Sequence, residues 1–465
     1  MTAVYPQSLL HMREKNTVFK GAFYLAVGAF ISKFLGAIYR VPLTNMLGGL
    51  GLGLYQMVFP VYCLLLDFSG AGLPSAMSRL IASQTKNKEN TAKRLLINSV
   101  KLFLIFGIVG MIITAVFSKP FSILQGNEKA STAYLFLSPA ILAVSMISCL
   151  RGYFQGFMDM KPTAISQIIE QVVKLILGIF FVYLFIGNIS LAVGGATFAI
   201  TLSEFIALFI LWSTYKKRTK NSIQDFTYDK KSFFADAKTI IKTTIPITLV
   251  GILLPFSQVI DSILTINIIS GYRNDATALF GLLSGVVMTV INLPVSICYG
   301  IGSVAIPSIS KCKDEDAKQK RAIKILSLTL LVSIPCFLGL AIFSPQVINL
   351  LFRNLPTSEK RIAIKLLRLT SPCVVLLSVL QASNAVFIGK GKLYTPVVNL
   401  GIGVLIKFLL SAILLSVPSI NIYGGAIAIN ACYFSVCVIN LVLIFNTKVK
   451  NATGYPYNRK FANQE

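Results

Sequence analysis

The sequence predicts an all-α integral membrane protein with about twelve transmembrane helices arranged as two halves of six. Three features of the chain dictate this. Of its 465 residues, 55% are hydrophobic and only 13% charged, with a mean hydropathy of +0.74. The apolar residues come in runs of about 20, enough to cross a hydrocarbon core of about 30 Å as a helix. The polar connections alternate between basic and nearly uncharged, and the two halves share a residue pattern at a fixed offset. Lipid offers the backbone no hydrogen bonds, so such runs must be helices. Soluble α/β and all-β folds are excluded.

Residues 1–19 form a polar arm, expected to be cytoplasmic. The first run, GAFYLAVGAFISKFLGAIY (21–39), is too long and too charged for a signal-peptide core. No A-x-A-like site follows it, so it stays as the first span. GGLGLGLY (48–55) has no strand before it, which leaves a phosphate-loop reading unsupported; it reads as a tight external turn into the second span. Runs and breakers then place spans near 20–40, 53–80, 94–117, 132–155, 162–187, 191–214, 239–268, 277–308, 322–343, 361–388, 395–417 and 423–446. The longest polar connection, 215–238, is a cytoplasmic linker between an N-lobe (20–214) and a C-lobe (239–447), and 448–465 form a cytoplasmic tail.

The formal charge of +26 would point to nucleic acid in a soluble protein. Here most of the lysines and arginines fall in alternate connections: the N-terminal arm, 84–94, 158–162, 215–238, 311–321, 389–392 and the tail. By the positive-inside rule these face the cytoplasm, with both termini. The basic excess is thus a topology signal, acidic membrane lipids are secondary partners, and no nucleic-acid partner is expected. The eight cysteines lie mostly inside apolar runs without a C-x-x-C pair, as small buried hydrophobes do. The single histidine, His11, is on the polar arm, so histidine catalysis and metal binding within the membrane are not expected.

The halves correspond at an offset of 233 residues. Pro74 meets Pro307, Ser138-Pro139 meets Ser371-Pro372, Gly156 meets Gly389 and Lys174 meets Lys407, while GGA at 194–196 meets GGA at 424–426 after a small slip. This is the mark of duplication. Each half has an even number of spans, so both enter the membrane in the same sense, as in transporters that rock two lobes around a midplane site.

Two blocks carry a family resemblance. The stretch SKFLGAIYRVPLTNMLGGLGLGLYQMVFPVYCLLLDFSGAGLPSAMSRLIA (32–82) resembles the opening of the polysaccharide-transporter branch of the MOP flippase superfamily. It is most similar to the stage V sporulation protein B group of Gram-positive bacteria, and RGYFQGFMDMKPTAISQIIEQVVK (151–174) is similar to that group's fourth-to-fifth helix signature. The resemblance implies a MATE/MOP-like pair of six-helix lobes around a V-shaped central cavity. It also implies transport of a lipid-linked saccharide across the bacterial cytoplasmic membrane for peptidoglycan, spore cortex or another envelope polymer. Two departures stand out. Relatives commonly have fourteen spans, and twelve are expected here. In the related lipid II flippases an S-[RK]-x-L-G pattern, matched by Lys33 in SKFLG, precedes an Arg-Asp pair, where this chain has Tyr39-Arg40.

Ionisable side chains at bilayer depth cost at least about 2.5–3.5 kcal/mol each, so they normally face protein or water. Thr163, Gln167, Glu170, Gln171 and Lys174 form one stripe of a 3.6-residue helix, which puts Lys174 about 18 Å along the fifth span. Glu170 and Lys174 could neutralise each other as an i,i+4 pair. The additional polar residues favour instead the wall of a hydrated cavity, to which Lys407 would add a second cation. Lys33, Arg40 and Arg151 complete the cationic candidates; interfacial anchoring is the alternative for Arg40, and snorkelling for Arg151. Asp67, Glu204 and Asp261 read either as partners of lysines or as carriers of a coupling proton or sodium ion, Asp261 first because Pro255, Ser257 and Gln258 surround it.

The expected function is that of a flippase in which these cations receive the diphosphate-sugar head of a polyprenyl carrier. No cofactor is expected. Energy would come from membrane potential, worth about 2.3 kcal/mol per charge per 100 mV, or from a proton or sodium gradient. An ion-coupled multidrug or cation antiporter of the same superfamily is the alternative. Enzymatic activity is not expected, and a monomer suffices.

Overall fold

The computed structural model describes residues 7–446 except 69–71, 84–87, 220–229, 311, 313 and 393; side chains are described from Tyr24 onward, Lys33 being among those left out. Sixteen α-helices and no strand are found among the described residues. They are α1 Gln7–Leu66, α2 Leu73–Ala82, α3 Lys88–Val116, α4 Ser118–Leu124, α5 Ser131–Gly156, α6 Lys161–Leu184, α7 Ile189–Thr219 and α8 Lys230–Ser270. The second half adds α9 Ala276–Phe280, a π turn at Gly281–Val287, α10 Met288–Ser310, α11 Glu315–Ile342, α12 Ser344–Leu351, α13 Thr357–Thr370, α14 Cys373–Gly389, α15 Thr395–Leu415 and α16 Ile422–Phe445.

The 60 residues of α1 are broken at Gly48 (φ 65°, ψ −172°), a left-handed conformation that suits glycine. The Arg40 guanidinium lies 5.8 Å from the Phe59 ring centroid, whereas an unbroken helix would separate positions 19 residues apart by about 28 Å. The chain therefore folds back at Gly48 into two arms. Of the expected turn at 48–55, only Gly48 departs from helix. Ten helices are long and apolar enough to cross a membrane, or eleven with α13 and α14 as one span bent by 46°. Twelve were expected; one of the helices counted, Phe34–Leu66, contains the Gly48 fold.

Three expected boundaries move. In the second span, expected as one run, α1 ends at Leu66 and α2 begins at Leu73, where Pro74 suits a first helical turn. The 46° bend of the tenth span falls at Ser371-Pro372, while its repeat partner Ser138-Pro139 sits within the continuous helix α5. The expected linker is helical at both ends, because α7 runs to Thr219 and α8 starts at Lys230.

Polarity is arranged for lipid. Phe209, Leu331 and Leu409 are 70%, 72% and 67% exposed, while Lys174, Glu204 and Lys407 are buried; a water-soluble fold shows the reverse. In the first half α5 packs on α3 and α7, α7 on α6, and α6 on α1; in the second α10 and α11 pack on α14 and α15 on α16. At the Gly48 end the halves share one core, in which Leu47, Leu52 and Tyr55 meet Val286, Val287 and Phe352. At the opposite end there are two separate cores, one around Met77, Leu150 and Leu211 that also takes in Ile240 of α8, the other around Ile309, Phe387 and Val436. The halves are thus sealed together at the Gly48 end, while at the other end the start of α8 packs on α2 and α3.

Glycines permit that seal. A Cβ on Gly281 would fall 2.2 Å from the Gly49 carbonyl oxygen, and one on Gly53 would fall 2.0 Å from the Thr277 carbonyl oxygen. Only a backbone without side chains lets the folded α1 lie this close to α9 and the π turn. Hydrogen bonds finish the contact: Gly49 N–H to Glu359 Oε2 (3.0 Å), Asn45 Nδ2 to the Leu351 carbonyl (2.8 Å) and Gln56 Nε2 to the Ser284 carbonyl (2.7 Å).

Candidate functional site: a cavity between the halves

Below that seal lies a cavity of about 410 Å³. The first half contributes Arg40 and Tyr39 from α1, and Gln171 and Lys174 from α6; the second contributes Thr289, Asn292 and Ser296 from α10, and Gln381 from α14. Arg40 reaches across, donating from Nη1 to Thr289 Oγ1 at 3.3 Å. Lys174 is 9% exposed and has no hydrogen bond or ion pair within contact distance among the described residues. Among the described residues Arg40 and Lys174 are the two cations of the lining, and no carboxylate joins them there.

The polar stripe of α6 does not act as one wall. A helix turns 100° per residue, so a stripe spanning five positions reaches two neighbours. Gln171 and Lys174 line the cavity, but Glu170 turns to α5, where its Oε2 accepts from Arg151 Nη2 at 3.1 Å. Arg151 Nε also donates to Ser166 Oγ (3.2 Å), and its side chain is 16% exposed. This departs from the expectation that Glu170 and Arg151 belong to the cavity wall: they pair with each other outside its lining, and the alternatives of a Glu170–Lys174 pair and a snorkelling Arg151 do not hold either. Gln167 is also absent from the lining, with Oε1 buried and unpaired. Gln171 Nε2 donates to Glu170 Oε1 (2.9 Å).

Lys407 departs from expectation too. It sits thirteenth in α15 as Lys174 sits fourteenth in α6, and both are buried. Yet Lys407 is absent from the lining; it is paired with Asp261 Oδ2 on α8 at 2.7 Å and hydrogen-bonded to Ser257 Oγ. Its charge is neutralised within the second half. Asp261 is accordingly a lysine partner, the first of the two roles open to it. Glu204 on α7 is buried and accepts from the Tyr62 hydroxyl at 3.0 Å. Asp67 is half-buried at the end of the second arm of α1, its carboxylate facing Gly251 of α8. The Lys33 side chain lies outside the described residues.

A search for charges misses most of this lining. Thr289, Asn292 and Ser296 recur at spacings of three and four on α10, which makes one face of a helix. That period within an apolar run was the available signal. Gln381 offers no comparable pattern.

Residues 18–313, more than half of the chain, match the family described as "Polysaccharide biosynthesis protein". The chain belongs to that family. Two Bacillus subtilis (strain 168) relatives are similar along most of their length. Lipid II flippase MurJ is 26% identical, covering 95% of this chain and 84% of its own, and Stage V sporulation protein B is 27% identical, covering 89% and 81%. Among solved structures, an inward-facing multidrug resistance MATE family transporter of the MOP superfamily superposes with a TM-score of 0.74 at 16% identity (89% of this chain, 93% of that one). Lipid II flippase MurJ in an inward closed conformation gives 0.71 at 17% (90% and 86%). The fold is therefore that of these two multi-pass transporters.

Proposed function

We propose that this chain is a flippase that carries a lipid-linked saccharide, a polyprenyl-diphosphate-linked cell-envelope precursor, across the bacterial cytoplasmic membrane. One observation carries the reading: among the described residues the cavity between the halves holds Arg40 and Lys174 and no carboxylate, a lining suited to an anion. A drug or cation antiporter would need acids there. The polyprenyl tail stays in lipid while the head enters the cavity from the end opposite Gly48, which the basic connections assign to the cytoplasm with both termini. Rocking of the N-lobe (20–214) against the C-lobe (239–447) then breaks the seal at Gly48 and opens the other side. Covalent chemistry has no part in this cycle, one copy of the chain suffices, and membrane potential or an ion gradient drives the return; Glu204 and Asp67 are the carboxylates outside ion pairs that could couple it.

The test is transport in proteoliposomes, with a polyprenyl-diphosphate saccharide supplied on one face and an enzyme that modifies its sugar on the other. Arg40→Ala with Lys174→Ala should abolish translocation while the purified protein keeps its melting temperature. Unchanged translocation by the double variant overturns the reading.

A further inference from the structure

The two walls of the cavity differ in kind. On the first half stand the charges of Arg40 and Lys174 beside the neutral Ser32, Tyr39 and Gln171; on the second, Thr289, Asn292, Ser296 and Gln381 present only hydroxyls and amides. Some of these are already committed: Thr289 Oγ1 accepts from Arg40 (3.3 Å), and Ser296 Oγ donates to the Asn292 backbone carbonyl (2.6 Å). The side-chain amides of Asn292 and Gln381 are not. Neither has a hydrogen-bond partner among the described residues, and Gln381 Oε1 is buried.

A buried amide oxygen without a partner, as in Gln381, is costly, by about 1–3 kcal/mol, and together with the unpartnered, half-buried amide of Asn292 on the same wall it marks a place where a ligand supplies the partners. An amide both donates and accepts, and so does a hydroxyl, so two amides match a polyol; a phosphate only accepts and matches the cations opposite. The volume of about 410 Å³ lies within the range of about 300–1,000 Å³ of small-molecule sites, enough for a head group and not for a polyprenyl tail.

We infer that Asn292 and Gln381 form a neutral subsite for the saccharide, placed on the opposite half from the cations that hold the diphosphate. This rests on the flippase reading above and adds a division of labour. A ligand can shift a conformational equilibrium only through contacts that differ between states. A diphosphate without a sugar touches one half alone, whereas the saccharide bridges both. The sugar thus decides whether the halves move together, and spent carrier lipid is bound without being translocated.

The experiment compares binding of two defined ligands to the full chain in nanodiscs: a polyprenyl diphosphate, and the same lipid bearing an N-acetylhexosamine. In Gln381→Met and Asn292→Leu, affinity for the sugar-bearing lipid should fall about tenfold, the equivalent of about 1.4 kcal/mol, with affinity for the bare diphosphate within twofold of the parent. Lys174→Gln should weaken both ligands alike. Equal weakening of both ligands by Gln381→Met and Asn292→Leu, or of neither, overturns the subsite. If Lys174→Gln leaves both affinities unchanged, the cationic reading fails, whatever the amide variants show. Gln381→Met is nearly isosteric, which keeps the test valid if Asn292→Leu does not fold.

Discussion

Removing the Asp261 carboxylate should destabilise this protein far more than removing a carboxylate at its surface. Asp261 Oδ2 sits 2.7 Å from Lys407 Nζ, with the two side chains 24% and 8% exposed. Their helices, α8 and α15, contact each other directly. Asp261→Ala leaves Lys407 charged in a low-dielectric interior with only the Ser257 hydroxyl beside it. Breaking a buried pair from one side costs about 3–5 kcal/mol. Replacing both members by apolar side chains of similar volume is often neutral or stabilising, so Asp261→Leu with Lys407→Met should recover most of the loss. The exposed pair Arg273–Asp275, 2.6 Å apart, supplies the comparison, since such pairs contribute about 0–1 kcal/mol. The assay is equilibrium unfolding in mixed micelles of rising denaturing-detergent content, run as a double-mutant cycle. If Asp261→Ala costs no more than Asp275→Ala, or the double replacement is as damaging as the two single losses added, Lys407 does not depend on Asp261 and the pairing is wrong.

Arg151→Met should cost about 3–5 kcal/mol in the same assay, because it strands the Glu170 carboxylate, itself 15% exposed; a snorkelling arginine would cost under about 1 kcal/mol. Gly281→Ala should lower stability by about 1–3 kcal/mol, since its Cβ would meet the Gly49 carbonyl at 2.2 Å, and paired cysteines across the seal should crosslink more slowly; an unchanged crosslinking rate means the halves do not close there. The Arg273 hydrogen bonds hold the Asp275 carboxyl below its ordinary value of 3.8. A depressed carboxylate stabilises the fold above its unfolded pKa and loses that contribution as pH falls through the lower folded value. Melting curves of parent and Asp275→Asn should therefore differ by a constant amount from pH 5 to 8 and converge only below about pH 4.

Local pattern made much of the fold legible. Apolar runs of membrane length placed the crossings, and Gly48, at the head of its glycine cluster, marked the fold-back. The spacing after Pro162 put Lys174 in mid-helix and buried. The same reasoning did not fix partners. Glu170 has Lys174 four residues on along its own helix, yet it bonds Arg151 on α5; Lys407 repeats Lys174 in position, yet it is absorbed by Asp261 on α8. Duplication preserved depth along the helix but not the neighbour met there.

Asn292 and Gln381 show the remaining limit. They come from different helices, and only the contact of α10 with α14 brings both to the cavity wall. Sequence alone determined that the chain is a bundle of membrane helices and roughly where its long apolar helices lie, because solvent polarity and the 3.6-residue period act over neighbouring positions. Which of their residues face each other, and hence which cations remain for a ligand, was decided by tertiary structure. The direction a side chain points becomes a contact only when another helix, hundreds of residues away, is packed against it.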